Sequence, residues 1–368
     1  MTKRQIGGLD LVRFAAALIV AVFHLGFWAW GFPRGGAGKV AGHVPAMTAL
    51  EPFRHFGWAG VEIFFVISGF VIAFSAAGSD VGRFVRHRLL RLVPAVLMLA
   101  PLSAAALLWA GANTPVVIAL KLVRSLLFVP YGPWVDAVYW TLGVELAFYA
   151  CVNALLLCRG FERLIEPFAA LIGSIGLAFW ALHWLHPMPA LAGNRTLDLL
   201  LVHHGPLFAV GILLWAAWQR GVTRPRVFLI GAFAVGGVLQ IAARAFKMAD
   251  QTGDAALWWP APLAWLIALA ATIASLRFSF GGGLTRQIGL STYPLYLVHQ
   301  IVGAVPLGIL IRAGMNPYAA LALVLVGVMV FSWVVAIHVE PHVRAAVARA
   351  IDAVASLFHG MRGNRALR

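Results

Sequence analysis

Long apolar blocks separated by short polar segments dominate the pattern of this chain. A transmembrane helix needs about 20 predominantly apolar residues, and about ten blocks meet that length. The pattern therefore predicts an all-α, polytopic transmembrane bundle of about ten spans, forming one domain over residues 1–368. The predicted spans are 9–31, 57–77, 89–111, 138–158, 165–185, 198–218, 227–246, 257–277, 288–312 and 317–339.

Two segments fall outside this set of spans. Residues 115–131 are apolar but short, and Lys121, Arg124 and two prolines favour a loop or a re-entrant piece there. Residues 340–368 follow the last block, which Glu340 and Pro341 are expected to close, and we predict a cytoplasmic C-terminal tail there.

The composition is typical of a membrane protein, and the distribution of the basic residues accounts for the net positive charge. Hydrophobic residues make up 62% of the chain and charged residues only 11%, while the formal net charge is +15. If Lys3 and Arg4 lie in the cytoplasm, the cytoplasmic segments collect about twice the basic residues of the outer ones, which is the positive-inside asymmetry. We therefore expect both termini in the cytoplasm, contacts with membrane lipids, and no nucleic-acid partner.

The first block carries two ionisable residues, which are costly within a bilayer and often functional. Arg13 and His24 are eleven positions apart, so they share one helix face about 16 Å apart along the axis. A purely structural role is the alternative for each residue. Arg13 would extend its guanidinium group to the membrane interface, and His24 would form a hydrogen bond to a neighbouring helix. A functional role is equally compatible with the pattern.

Two glutamates are predicted near the depth of His24. Glu62 lies in the second block and Glu145 in the fourth, each close to the outer end. A histidine oriented by a carboxylate is a common general base for activating a hydroxyl group. Sequence alone leaves open which glutamate approaches His24, or whether one only pairs with an arginine.

A dense arginine cluster lies between the second and third blocks. Arg83, Arg86, Arg88 and Arg91 precede Pro94. Guanidinium groups bind phosphate oxygens through paired hydrogen bonds, so the cluster is a candidate anion site. The alternative is that these charges only hold the loop in the cytoplasm and contact anionic lipid.

The ninth block adds Ser291, Tyr293 and His299, with His299 near the middle of the membrane. Histidines also occur at 183, 186, 203 and 204, but no accompanying Cys, Asp or Glu gives them a recognisable set of metal ligands. We therefore predict no metal site.

Six short motifs resemble those of one family, the membrane-bound acyltransferase family 3 of bacterial polysaccharide and glycoconjugate O-acyltransferases. In chain order they are LDLVRFAAALIVAVFH, GVEIFFVISGFVI, RLLR, WTLGVELAFY, GLSTYPLYLVH and VEP. The first contains the family's basic residue, ten intervening positions and histidine. Leu11 stands where many members have glycine, and Glu62 replaces a frequent aspartate but keeps the carboxylate.

The resemblance implies an enzyme of the bacterial inner membrane that uses cytoplasmic acyl-CoA, most simply acetyl-CoA. It would acylate a hydroxyl of a cell-surface glycan or lipid-linked saccharide, as in exopolysaccharide or lipopolysaccharide O-acetylation. The resemblance assigns catalysis to His24 with Glu145 or Glu62, and donor binding to Arg13, Arg88 and Arg91. It assigns supporting roles to Ser291, Tyr293 and His299, and a homo-oligomer is compatible with it.

A transporter or flippase is the main competing interpretation. A buried histidine–glutamate pair would then relay protons across the membrane. Transporters often contain inverted repeats with paired broken helices, and the sequence shows no such pairing. Direct transfer of the acyl group and transfer through an acyl-enzyme remain equally open at this point.

Overall fold

The computed structural model describes residues 6–253, 257–277 and 282–365, and these residues contain helices but no β-strand. We number the helices of twelve residues or more from α1 to α13. Their bounds are α1 Gly7–Phe23, α2 Gly60–Ala76, α3 Val81–Trp109, α4 Pro115–Leu126, α5 Trp140–Leu157, α6 Phe161–Leu185, α7 Gly205–Arg220, α8 Arg224–Thr252, α9 Pro260–Ser275, α10 Gly283–Val298, α11 Ile301–Arg312, α12 Pro317–Val334 and α13 Glu340–Arg365.

The all-helical, multi-pass membrane fold is confirmed, with fewer full spans than predicted. Seven helical stretches of the described residues are long and apolar enough to cross a membrane. The count reaches eight if α10 and α11, which meet at a bend of 71°, form one broken span. The other two predicted spans correspond to α7 and α9, which have only 16 residues each, whereas a straight span needs about 20.

Two local predictions need correction. The segment 115–131 is helical over most of its length, as α4, and its exposed Val116 and Leu127 place it at the surface. Glu340 does not end the last helix, because α12 passes through a π-helical turn at Val335–Val339 directly into α13. Most of the expected tail is therefore helical and continuous with α12, and its cytoplasmic location stays a prediction.

Helix α7 occupies the centre of the bundle, and its residues are buried from Gly205 to Ala216. It packs against α2, α6 and α8. The contact with α2 is close because glycines face each other there. A Cβ atom on Gly211 would collide with the carbonyl oxygen of Val66, and one on Gly69 with that of Phe208. Small residues allow such close helix packing within a membrane, and here they fix the position of α2.

We call the end of the bundle near Arg13, Arg88 and Arg91 the arginine end. Arg13 on α1 and Arg91 on α3 line the same small cavity, and Arg86 on α3 pairs with Asp352 on α13 at 2.9 Å. The start of α1 and helix α13 therefore lie at this same end. Lys3 and Arg4 lie outside the described residues, and the cytoplasmic location of both termini stays a prediction.

Candidate active site and the cavities around it

His24 and His299 form a hydrogen-bonded pair, with Nδ1 of His24 2.9 Å from Nε2 of His299. Nδ1 of His299 lies 3.2 Å from the carbonyl oxygen of Leu295, which can only accept a hydrogen bond. With both rings neutral, these partners assign the protons. His299 donates from Nδ1 to Leu295, and its Nε2 accepts from Nδ1–H of His24. Nε2 of His24 therefore keeps its lone pair, as a general base requires.

Both histidines lie at interruptions of regular helix. His24 begins the π-helical turn His24–Trp28 that follows α1, and such turns are frequent at functional sites. His299 directly follows α10, where the chain bends before α11. These interruptions turn two side chains from distant parts of the sequence toward each other.

Asp136 holds the bend next to His299. Its carboxylate accepts hydrogen bonds from the backbone N–H of Ile301 at 3.2 Å and of Val138 at 3.1 Å. The first of these bonds satisfies an N–H at the start of α11 that has no partner within its own helix. Burial raises the pKa of the Asp136 carboxyl to about 7, although the N–H bonds of Val138 and Ile301 oppose that shift.

Glu62 does not contact His24, and it belongs to a different cluster. Its side chain is fully buried, with Oε1 2.6 Å from Nη1 of Arg244. Its Oε2 lies 3.4 Å from Nε2 of Gln240 and 3.8 Å from Nδ1 of His204. The arginine pairing, which the sequence left open, is the one that the structure contains.

Glu145 is also separate from His24 and faces the arginine end. It accepts a 2.5 Å hydrogen bond from the hydroxyl of Tyr149, one turn further along α5. It lines a narrow cavity of about 50 Å³ together with Arg13, Arg91 and Tyr293. The ring partner of His24 is thus His299, which the sequence placed only in a supporting role.

The four clustered arginines divide into two pairs with different surroundings. Arg83 pairs with Asp80, and Arg86 with Asp352. Arg91 lines the narrow cavity, and Arg88 donates to Oγ of Ser75 at 2.9 Å. Nε of Arg88 is buried and has no hydrogen-bond partner within the described part of the chain.

The narrow cavity leads from the arginines toward the histidine pair. Tyr296 lines it, and the ring of Tyr296 lies 5.8 Å from that of His299 between centroids. Tyr293 also lines the cavity, with Arg91 5.8 Å from its ring centre. Ser291 is buried within its own helix, where it donates to the carbonyl oxygen of Ile288. Three predicted residues therefore line this cavity, namely Arg13, Arg91 and Tyr293, whereas Ser291 does not.

A much larger cavity of about 760 Å³ opens on the other side of the bundle. Trp134, Trp140 and Trp180 line it, and we call it the tryptophan cavity. Arg244 also lines it, 5.2 Å from the ring centre of Trp140 and paired with Glu62 behind the wall. Glu62 and Ser75 mark the two ends of α2, about 20 Å apart at the helical rise, so this cavity and the arginine end are well separated.

Sequence reasoning missed a polar cluster in the wall of the tryptophan cavity. Asp198 lies 2.7 Å from Nδ1 of His203, 3.3 Å from Nε2 of His204 and 3.3 Å from Nη1 of Arg195. Burial alone would raise the pKa of the Asp198 carboxyl, but the nearby rings of His203 and His204 lower it well below its ordinary value. The signal in the sequence is an aspartate and two adjacent histidines before a buried apolar helix, whereas the sequence analysis considered only the histidines, as metal ligands.

Phe65 separates the two cavities. It lines the narrow cavity, and its ring centre lies 4.7 Å from that of His204 and 5.9 Å from that of Trp140 in the wall of the tryptophan cavity. The two cavities therefore lie on opposite sides of Phe65 within the bundle. Across the described ranges, no group of three or more His, Cys, Asp or Glu residues is arranged to hold a metal ion.

Comparison with known proteins agrees with the motifs. The family profile described as an acyltransferase domain matches residues 6–337. A putative membrane-bound transacylase, BcsY of Komagataeibacter xylinus, is 29% identical over 231 residues, which cover 56% of this chain and 58% of that protein. This chain thus matches little more than half the length of that relative, and no solved structure matches it. The profile extends over nearly the whole chain, and on that evidence the protein belongs to membrane-bound acyltransferase family 3.

Proposed function

We propose that the protein transfers an acyl group, most simply acetyl, from acyl-CoA at the arginine end to a hydroxyl of a cell-surface or lipid-linked glycan. The observation that carries the proposal is the His24–His299 pair. It leaves a basic nitrogen on His24, and its partner His299 contacts Tyr296, which lines the cavity that also contains Arg13 and Arg91. The bacterial inner membrane is the setting that this proposal requires, with CoA supplied from the cytoplasm.

Arg88 and Arg91, with Arg13 deeper in the bundle, bind the phosphates of the donor in this proposal. The buried, unpartnered Nε of Arg88 supports an anion there, because an unsatisfied buried donor is costly. The pantetheine arm then extends toward His24, about 16 Å further along α1 by helical rise. The narrow cavity of about 50 Å³ must widen to admit the arm, by movement of the side chains that line it.

The reaction requires one proton acceptor and one good leaving group. Nε2 of His24 takes the proton of the acceptor hydroxyl, and the oxygen attacks the thioester carbonyl carbon. The carbon–sulfur bond then breaks, the thiolate of CoA leaves, and the His24 imidazolium returns the proton to it. An acyl-His24 intermediate is the alternative route, with the same residue as nucleophile. The thioester supplies the driving force for either route.

The test uses protein purified in lipid nanodiscs with radiolabelled acetyl-CoA and de-O-acylated surface polysaccharide from the native host. We expect label to enter the polysaccharide and free CoA thiol to appear in equal amount. His24→Ala should remove both while CoA binding persists. A wild-type protein that transports a saccharide without releasing CoA would instead support a transporter. Mass spectrometry of surface glycans from cells with and without the gene provides the same comparison in vivo.

A further inference from the structure

The tryptophan cavity is built as a binding site, yet none of the residues predicted from sequence for catalysis or donor binding lines it. Its volume of about 760 Å³ falls within the range of small-molecule sites, which combine apolar and aromatic walls with a few fixed polar groups. Indole rings supply the walls here, and Gln240 and Asp198 supply polar atoms. The cavity is large enough to hold the end of an oligosaccharide, and it is larger than a channel for water would need to be.

Gln240 shows that this wall is prepared for a hydrogen-bonding ligand. Its side chain is only 2% exposed, and Nε2 is held 2.8 Å from Nδ1 of His204. This contact fixes the amide so that Oε1 is its free acceptor, and Oε1 has no hydrogen-bond partner among the described residues. A buried acceptor without a partner is unfavourable, and a ligand hydroxyl entering the cavity would satisfy it.

The charges of the cavity exclude a strongly anionic ligand. Arg244 is neutralised by Glu62, and Arg195 by Asp198, which also binds both histidines. The remaining charged residues, Lys247 and Asp250, are exposed and opposite in sign. A carboxylate or phosphate would therefore find no uncompensated buried cation, whereas a neutral polyol would find fixed donors and acceptors.

The cavity also lies next to the proposed chemistry. Arg244, in its wall, lies 5.4 Å from the ring centre of Trp58, and the neighbouring Gly57 packs closely against Phe23, the residue before His24. Phe65 forms the partition between this cavity and the narrow cavity that reaches Tyr296. A saccharide in the tryptophan cavity would thus approach the histidine pair from the side opposite to CoA.

We infer that the tryptophan cavity binds the acceptor as a neutral saccharide, with Gln240 Oε1 accepting a hydrogen bond from a sugar hydroxyl. This inference rests on the proposed acyl transfer and adds the location and chemical class of its acceptor. It also assigns Gln240 a specificity-determining role that the sequence did not indicate.

The test fills the cavity without removing any of its polar groups. Ala243→Trp places a large side chain in the space from helix α8, and Val235→Trp makes the same change at an exposed position of α8 that does not line the cavity. The probe is the de-O-acylated polysaccharide of the native host with radiolabelled acetyl-CoA. We expect Ala243→Trp to raise the KM for polysaccharide at least tenfold while CoA affinity is unchanged, and Val235→Trp to resemble wild type.

Gln240→Met provides a second, smaller change if Ala243→Trp does not fold. It should raise the same KM severalfold without altering CoA affinity. Wild-type kinetics toward polysaccharide in both cavity variants would overturn the inference, even with acyl transfer intact. Absence of transfer in the wild type would instead overturn the proposed function. Tandem mass spectrometry then identifies the esterified sugar, and a uronate or phosphosugar at that position would contradict the neutral class.

Discussion

Nδ1 of His24 and Nε2 of His299 lie 2.9 Å apart, so an imidazole rather than a carboxylate orients the candidate base. This arrangement differs from a histidine–carboxylate pair in one physical respect. A carboxylate stabilises the imidazolium that forms during proton transfer, whereas a neutral ring mainly fixes its tautomer and direction. His299 is therefore a positioning residue, and its removal should affect turnover more than binding.

Substitutions at the pair should separate catalysis from folding. His24→Ala should lower kcat by about 10²–10⁴-fold, the usual contribution of a positioned base. His299→Leu should lower kcat by at least tenfold without changing the KM for acetyl-CoA, and His299→Gln should recover part of the loss because its amide oxygen accepts from His24. Steady-state kinetics on the purified variants measures this. A His24→Ala protein with more than a tenth of wild-type kcat would exclude the catalytic role.

The division of the arginine cluster predicts unequal effects on donor binding. Arg91→Ala and Arg88→Ala should each weaken CoA binding at least tenfold, and lysine should restore it only partly because the bidentate geometry is lost. Arg86→Ala, which removes an exposed pair with Asp352, is the matched control and should leave CoA affinity unchanged. Titration calorimetry with CoA provides the comparison. If the double variant Arg88→Ala/Arg91→Ala bound CoA as tightly as wild type, the cluster would only keep this loop in the cytoplasm.

The buried ion pair of Glu62 and Arg244 should matter more for stability than an exposed one. Glu62 is 0% exposed, so Arg244→Ala leaves an uncompensated buried charge, and we expect a loss of about 3–5 kcal/mol. Asp352→Ala breaks a pair in which Arg86 is 40% and Asp352 59% exposed, and it should change the stability far less because solvent screens the pair. Thermal unfolding in detergent compares the two. Similar losses in the two variants would contradict this difference between a buried and an exposed pair.

Asp136 predicts a pH dependence of stability with a defined sign. Its pKa is about 7 in the folded protein and near 3.8 when unfolded, so the folded state holds the extra proton between about pH 4 and 7. Stability should therefore fall as pH rises through this window and level off above it. Asp136→Asn should remove this component. The measurement is the difference in unfolding temperature between wild type and variant from pH 4 to 8, and a difference that does not change with pH would contradict the assignment.

The sequence predicted many residues of the site individually, but not which of them lie next to one another. Arg13 and Glu145 were predicted because ionisable residues rarely persist in apolar helices, and Arg91 because it belongs to a candidate anion site; the structure brings all three to one cavity. Glu62 was one of two candidate partners of His24, because both glutamates were assigned a depth similar to that of His24. Depth fixes only one coordinate, however, and the lateral position of α2 places Glu62 against Arg244 instead.

The sequence by itself determined the class of architecture and the family. Apolar blocks of membrane-spanning length impose helices, because backbone groups in a bilayer must be satisfied within their own segment. The motifs then fixed the family without any knowledge of packing. Both inferences depend only on which residues follow one another along the chain, and the sequence gives that information directly.

Only the tertiary structure decided which side chains meet. His24 and His299 are 275 positions apart, and a π-helical turn and a helix break aim them at each other. The cluster of Asp198, His203 and His204 likewise forms part of a binding wall only because α6 and α8 border the same cavity. Such contacts depend on helix rotation and lateral packing, which hydrophobic periodicity constrains only weakly when a helix is apolar on all sides.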